Sequence, residues 1–304
     1  MTKHYTMPQD EVQIYGGTGT LYRTPYCDDI YASKADVIVT GAPLDMCTTG
    51  RSGARQGPQA IRMASTNLIW EEQRFPWDFT LADRLSVEDC GNIGMVAGDP
   101  RLFSEQLETH IGHIVEAGKK PLTLGGDHFV ALPCIRALAK HHGPLALIHF
   151  DAHTDTYDEG ELDHGTMFHH GWKEGHIVAE KSVQIGIRTL YRGGPPYQVL
   201  SAPWCHDHTA ADIVAAVRER VGDHPCYVTF DIDCLDPAFA PGTGTPVVGG
   251  LNTDTALKVI RGLKGLNMVG MDLVEVAPAY DNAEITALAG ATLCLEWLYT
   301  LAAE

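Results

Sequence analysis

The chain has 304 residues, a formal net charge of −17, 44% hydrophobic residues and 20% charged residues. That length permits one large α/β domain or two smaller ones, with a sizeable core. Phosphate binding needs clustered Lys and Arg, so this acidity argues against nucleic acid as a partner and is compatible with a cationic one; no run approaches the roughly 18 to 20 consecutive apolar residues that span a bilayer, so no membrane is expected either.

Along the chain, residues 1–30 open on the polar stretch MTKHYTMPQDEVQ, which has no apolar signal core. They read as an irregular arm of a cytoplasmic protein, and residues 31–304 as a single domain. Short apolar runs then recur. Val37 to Thr40 ends at Gly41, Leu122 to Leu124 at Gly125, Leu145 to Phe150 at Asp151, Val183 to Ile187 at Arg188, Tyr227 to Phe230 at Asp231, and Met268 to Val276 at Ala277. These predict buried strands. Between them, apolar residues at helical spacing predict helices over Ser104 to Lys119, Thr209 to Val221 (closed by Gly222), Thr253 to Lys264 and Glu284 to Ala302. Strand alternating with helix predicts an α/β fold, a doubly wound parallel sheet flanked by helices. The eight cysteines, at 27, 47, 90, 134, 205, 226, 234 and 294, include no C-x-x-C pair and read as reduced thiols. Cys226, Cys234 and Cys294 sit in apolar segments and read as core.

In such sheets ligands bind beyond the carboxyl ends of the strands. Three of the runs end in metal-ligand residue types: Gly125-Gly126-Asp127-His128, Asp151-Ala152-His153-Thr154-Asp155, and Asp231-Ile232-Asp233. Residues 151, 153 and 155 are spaced i, i+2, i+4, as are 231 and 233 at i, i+2. In extended chain such side chains point the same way. His128, Asp151, His153, Asp155, Asp231 and Asp233 then form a set of four carboxylates and two imidazoles. Four carboxylates packed together repel one another unless cations hold them. Oxygen and nitrogen donors without thiolate favour two Mn2+ over structural zinc, although cobalt, nickel and zinc accept the same donors. Any one of these elements alone reads as structural, an Asp after a strand often capping the next helix; the three together do not.

These motifs resemble the ureohydrolase family of arginases, agmatinases and related amidinohydrolases. The match includes G-G-D-H at 125–128, D-A-H-T-D at 151–155 and D-I-D-C-L-D-P-A-F-A-P-G-T-G-T-P at 231–246. It also includes G-x-P-x-D at 41–45, G-P-x-x-I-R at 57–62 and E-V-A-P at 275–278, and spans about residues 30 to 302. The stretches at 67–70, 75–77, 164–168 and 274–280 resemble the agmatine-hydrolysing branch. The resemblance implies a single arginase-like catalytic domain, usually a homo-trimer or homo-hexamer, that hydrolyses agmatine to putrescine and urea through a hydroxide bridging two Mn2+. It implies that His128, Asp151, Asp155 and Asp231 hold one ion and Asp151, His153, Asp231 and Asp233 the other. His164 matches the family's proton-relay histidine and Glu275 the carboxylate that engages guanidinium. Asp155 is then the nearest donor to the leaving amine.

The loop after D-A-H-T-D, residues 156–163, carries Asp158, Glu159, Glu161 and Asp163 and no basic residue. It predicts a substrate with a free distal amine rather than a carboxylate, hence agmatine over arginine or 4-guanidinobutyrate. The rival readings are a guanidinobutyrase, a one-zinc deacetylase-like hydrolase and an inactive binding protein. His169 and His170 read as solvated. Arg51, Arg55 and Arg62 read as structural ion pairs or subunit contacts.

Overall fold

Short β-branched runs with no polar face must be covered on both sides, and eight parallel strands satisfy that requirement in one sheet. The computed structural model describes residues 19–70, 73–94, 97–158, 161–191 and 193–303. The strands are β1 Val37–Ala42, β2 Val87–Asn92, β3 Lys120–Gly125, β4 Ala146–Phe150, β5 Val183–Ile187, β6 Gln198–Ser201, β7 Cys226–Asp231 and β8 Met268–Val274. They lie in the order β2-β1-β3-β8-β7-β4-β5-β6. The two edge strands, β2 (VEDCGN) and β6 (QVLS), are absent from the sequence reading because neither presents an apolar run.

The helices are α1 Gly57–Ser65, α2 Pro100–Glu116, α3 Ala131–His142, α4 Met167–Lys173, α5 Ala202–Asp207, α6 Ala210–Val221, α7 Thr253–Gly262 and α8 Ile285–Ala302. Their buried faces divide between two cores. Side chains of α2, α3 and α4 pack on one face of the sheet, and those of α1, α5, α6, α7 and α8 on the other. Helix α2 starts earlier than the spacing suggests, because the Asp99 carboxylate caps it by accepting from the Leu102 N–H at 3.0 Å. Helix α6 is closed by a reciprocal Thr209–Asp212 capping box and ends at Gly222, whose φ of 60° suits glycine. Helix α8 is long and apolar enough to cross a membrane, but 78% of it is buried inside the protein, as for a core helix.

Residues 1–18 of the expected arm lie outside the described residues. Residues 19–30 are docked rather than loose: Leu21 is fully buried, its N–H donates to the Asp89 carboxylate at 2.7 Å, and Tyr26 pairs with Asp89 alongside β2. The eight cysteines are all free thiols.

One row across this sheet is polar. Thr40 pairs with Thr123, Thr123 with Asp272, Asp272 with Thr229, Thr229 with His149, and His149 with Gln184. All six are buried, on the face that carries α2 to α4. An interior row of this kind costs stability unless its hydrogen bonds are made, and it lies immediately beneath the carboxyl ends of the strands.

Candidate metal centre

The predicted residues follow β3, β7 and β4, and Glu275 follows β8; these four strands are neighbours in the sheet. The topology therefore gathers segments that lie far apart in sequence. The turn after β3 needs both its glycines. A Cβ on Gly126 would sit 2.0 Å from the Leu44 carbonyl oxygen, and one on Gly125 would sit 2.4 Å from Val274 Cγ1. With no Cβ, the Gly126 N–H reaches the Ala42 carbonyl and the Asp127 N–H reaches the Leu44 carbonyl. That contact presents His128 to the interior.

The six side chains meet. His128 Nδ1 lies 3.1 Å from Asp151 Oδ2, 2.9 Å from Asp155 Oδ2 and 3.3 Å from Asp231 Oδ2. His153 Nδ1 lies 3.3 Å from Asp151 Oδ1 and 3.2 Å from Asp233 Oδ2. Asp151 thus faces both histidines, one through each oxygen. His153 is the most open of the six, and the other five are buried.

Convergence does not arise from extended chain, as the spacing suggested. β4 stops at Phe150, and residues 151–155 form a bend in which Asp155 takes φ 51°. Asp231 ends β7, and Asp233 lies in a 3-10 turn, its N–H donating to Asp231 Oδ1 at 2.8 Å. Glu275 has φ 62°. Left-handed backbone at a non-glycine residue costs about 1–3 kcal/mol and collects at functional positions. Here it holds two of the candidate catalytic side chains.

Electrostatics set the four carboxylates apart. Burial raises Asp151, but the neighbouring His149, His128 and His153 rings overcome it and hold the group well below the carboxylate range. Burial and the Asp151 charge push Asp155 up to about 7. Burial and the Asp233 and Asp151 charges hold Asp231 well above its ordinary value. Burial and Asp151 raise Asp233. Burial lowers His153, yet bonds to Asp151 and Asp233 outweigh it and lift the ring to about 12. The anions are thus tolerated only where positive charge is beside them.

The arrangement fits divalent cations. Two groups, His128/His149/Asp151/Asp155 and Asp151/His153/Asp233, each bring their ligating atoms within 4.8 Å of one another. His128 Nδ1 is buried and makes no hydrogen bond, although three carboxylate oxygens surround it. Atoms disposed around a common point rather than paired along bonds have ligand geometry.

Beside this cluster, Glu275 Oε1 accepts from the His128 N–H and from His164 Nδ1, each at 2.9 Å. Glu275 Oε2 is buried with no hydrogen-bond partner. His164 is buried, not a surface histidine. The Thr49 N–H donates to its Nε2 at 2.9 Å, so that nitrogen carries a lone pair and Nδ1 carries the proton. Burial pulls His164 down, while the Glu275 bond and charge raise it to about 9. The Thr49 N–H opposes a second proton on Nε2, while the Thr49 hydroxyl, 2.8 Å from the same nitrogen, can accept one, so the backbone donor and Glu275 pull the charge of the ring in opposite directions.

Sequence reasoning missed His149, whose Nε2 lies 2.7 Å from Asp151 Oδ2, and Gln184, which donates to His149 Nδ1 at 3.0 Å. It missed Thr245, whose hydroxyl donates to Asp233 Oδ2 at 3.2 Å, and Thr49. A histidine inside the apolar run 145–150 was the one visible signal. His169 and His170 are half-buried on α4 rather than solvated. Arg62 and Arg55 pair with Asp89 and Asp45, and Arg51 donates to the Thr243 and Gly244 carbonyls. Glu159 of the acidic loop lies outside the described residues. Asp158 accepts from the Tyr191 hydroxyl, Glu161 meets Arg101, and Asp163 accepts from the Gly165 N–H.

A family model described as the arginase family matches residues 35–299. An agmatinase from Shigella sonnei is 58% identical over 283 residues, which is 93% of this chain and 92% of that protein. A crystal structure of a hypothetical agmatinase from Burkholderia thailandensis superposes with a TM-score of 0.92 at 46% identity, over 96% of this chain and 92% of that one. The proclavaminate amidino hydrolase of Streptomyces clavuligerus superposes with a TM-score of 0.89 at 36% identity, over 96% and 99% of the two chains.

Proposed function

The chain belongs to the arginase family, and from that membership we propose that it is a hydrolase that converts agmatine to putrescine and urea. The observation that carries the reading is Glu275 Oε2, a buried carboxylate oxygen without a partner beside the metal-ligand cluster. A buried anion of that kind needs a cation, and a guanidinium supplies one with matching planar donors. The amine-ended substrate follows from the acidic surroundings of residues 158–163 and from the 58% identity to an agmatinase.

In this reading residues 31–304 form one catalytic domain that would hold two Mn2+, with His128, Asp151, Asp155 and Asp231 available to one ion and Asp151, His153, Asp231 and Asp233 to the other. The donors, oxygen-rich and without thiolate, suit manganese. When bound, the ions lower the pKa of water and so supply a nucleophile at neutral pH. The protein's own groups do the rest. Glu275 Oε2 takes the guanidinium and fixes its plane. His164 Nδ1–H holds the other Glu275 oxygen in place. As the oxygen derived from water bonds to the guanidinium carbon, Asp155 takes its proton, and as the C–N bond then breaks Asp155 passes that proton to the departing amine. His164 exchanges protons with solvent past Thr49. Assembly as a homo-trimer or homo-hexamer is part of the same proposal.

A second reading is another ureohydrolase such as a guanidinobutyrase, since a fold this similar also serves a proclavaminate amidino hydrolase at 36% identity. Urea release from agmatine, arginine and 4-guanidinobutyrate after Mn2+ loading separates the two. We expect kcat/KM for agmatine to exceed the other two by at least about 100-fold, as like-charge juxtaposition costs several kcal/mol. Faster turnover of 4-guanidinobutyrate would replace agmatine as the substrate.

A further inference from the structure

The interior polar row does more than fill space. His128 Nε2 lies 2.8 Å from Thr229 Oγ1. The Thr229 hydroxyl donates to Asp272 Oδ1 at 2.6 Å, and the Tyr227 hydroxyl donates to Asp272 Oδ2 at 2.7 Å. All four side chains are buried. Thr229 and Asp272 are direct partners across β7 and β8, so the backbone register fixes their contact.

We propose that Asp272, acting through Thr229, is a positioning residue that fixes the tautomer of His128 and so keeps Nδ1 free to bind a metal ion. A hydroxyl has one proton. The Thr229 proton is committed to Asp272, so Thr229 can only accept from His128, and His128 must carry its proton on Nε2. The lone pair is then on Nδ1, which faces Asp151, Asp155 and Asp231. Reversing the chain would place the proton on Nδ1, where an ion must sit. Tyr227 holds the second Asp272 oxygen, so the carboxylate has no other orientation that satisfies both hydroxyls. Metal-ligating histidines generally hand their other N–H to an oxygen acceptor, and loss of that acceptor weakens metal binding about 10- to 100-fold. Here the acceptor is a hydroxyl backed by a carboxylate on the next strand.

The inference rests on the reading of His128 as a metal ligand, and the experiment separates the two. Mn2+ affinity of the metal-free full chain is measured by chelator competition for Thr229→Val, Thr229→Ser and Asp272→Asn, together with the melting temperature of each metal-free protein. Thr229→Val removes the hydroxyl at nearly constant volume. We expect one Mn2+ equivalent to weaken about 10- to 100-fold while the other stays within about threefold. Thr229→Ser restores the hydroxyl and is expected to bind both equivalents as the parent does. Asp272→Asn keeps an acceptor but removes its charge, and is expected to weaken the same single equivalent several-fold. Should Thr229→Val fail to fold, Asp272→Asn decides. Parent-like affinity in Thr229→Val, or in Asp272→Asn where the valine variant does not fold, overturns the relay, as does a serine variant as weak as the valine one. A parent protein that takes up no Mn2+ overturns the metal reading itself.

Discussion

Replacing Glu275 with glutamine is expected to lower kcat/KM for agmatine by about 100- to 1000-fold, with urea release as the measurement. The size follows from the position of the carboxylate. Glu275 is buried, and only one of its oxygens is satisfied by the protein. Removing one partner of a buried ion pair costs about 3–5 kcal/mol, and each 1.36 kcal/mol is tenfold in rate. Glutamine preserves an acceptor for the His128 N–H and His164, so the fold and the metal content should survive. A Glu275→Gln enzyme with parent-like kcat/KM would remove Glu275 from substrate binding and leave its Oε2 without an explanation.

Replacing Asp231 with asparagine should move activity and stability in opposite directions. Asp231 is raised by burial and by the charges of Asp233 and Asp151. A carboxylate raised in the fold is destabilising when ionised at neutral pH, since its unfolded value lies far lower. The penalty is present above the unfolded carboxylate range, and a neutral amide removes it. The metal-free Asp231→Asn protein should therefore melt a few degrees above the metal-free parent, roughly 2–4 °C per kcal/mol for a chain of this size. Yet Asp231 Oδ2 is one of the oxygens around His128 Nδ1, so the loaded variant should bind less Mn2+ and turn over agmatine at least about 1000-fold more slowly. Calorimetric melts with and without Mn2+, alongside urea release, check both signs. An unchanged melt with full activity would show that the carboxylates neither repel nor bind.

The opposite signs explain why the cluster is so legible in the sequence. Carboxylates that oppose folding persist only for a reason, and Asp151-x-His153-x-Asp155 and Asp231-x-Asp233 carry that reason in a few letters. The six inner strands are equally visible, because each is an apolar run stopped by a glycine, a charged residue or an Ala-Pro pair. What the sequence hid was of two kinds. The edge strands β2 and β6 and the helices α1, α3, α4 and α5 are absent from the sequence reading. The strands and the short helices α4 and α5 have weak patterns, while α1 begins at Gly57 within the motif at 57–62 and α3 follows the motif at 125–128, stretches read for resemblance and site residues alone. The supporting residues were hidden for a different reason. Thr229, Asp272 and Gln184 each stand singly inside a strand, and only the order β3-β8-β7-β4-β5 turns them into one polar row. The i, i+2 argument reached residues that do converge, but by the wrong geometry, since the bend at Asp155 rather than an extended strand gathers them.

Anomalous X-ray diffraction from crystals of the Mn2+-loaded protein addresses the metal pair most directly. The account predicts two manganese peaks, one among His128, Asp151, Asp155 and Asp231 and one among Asp151, His153, Asp231 and Asp233. Density with no manganese touching His128 or His153, in protein that still releases urea from agmatine, would contradict it.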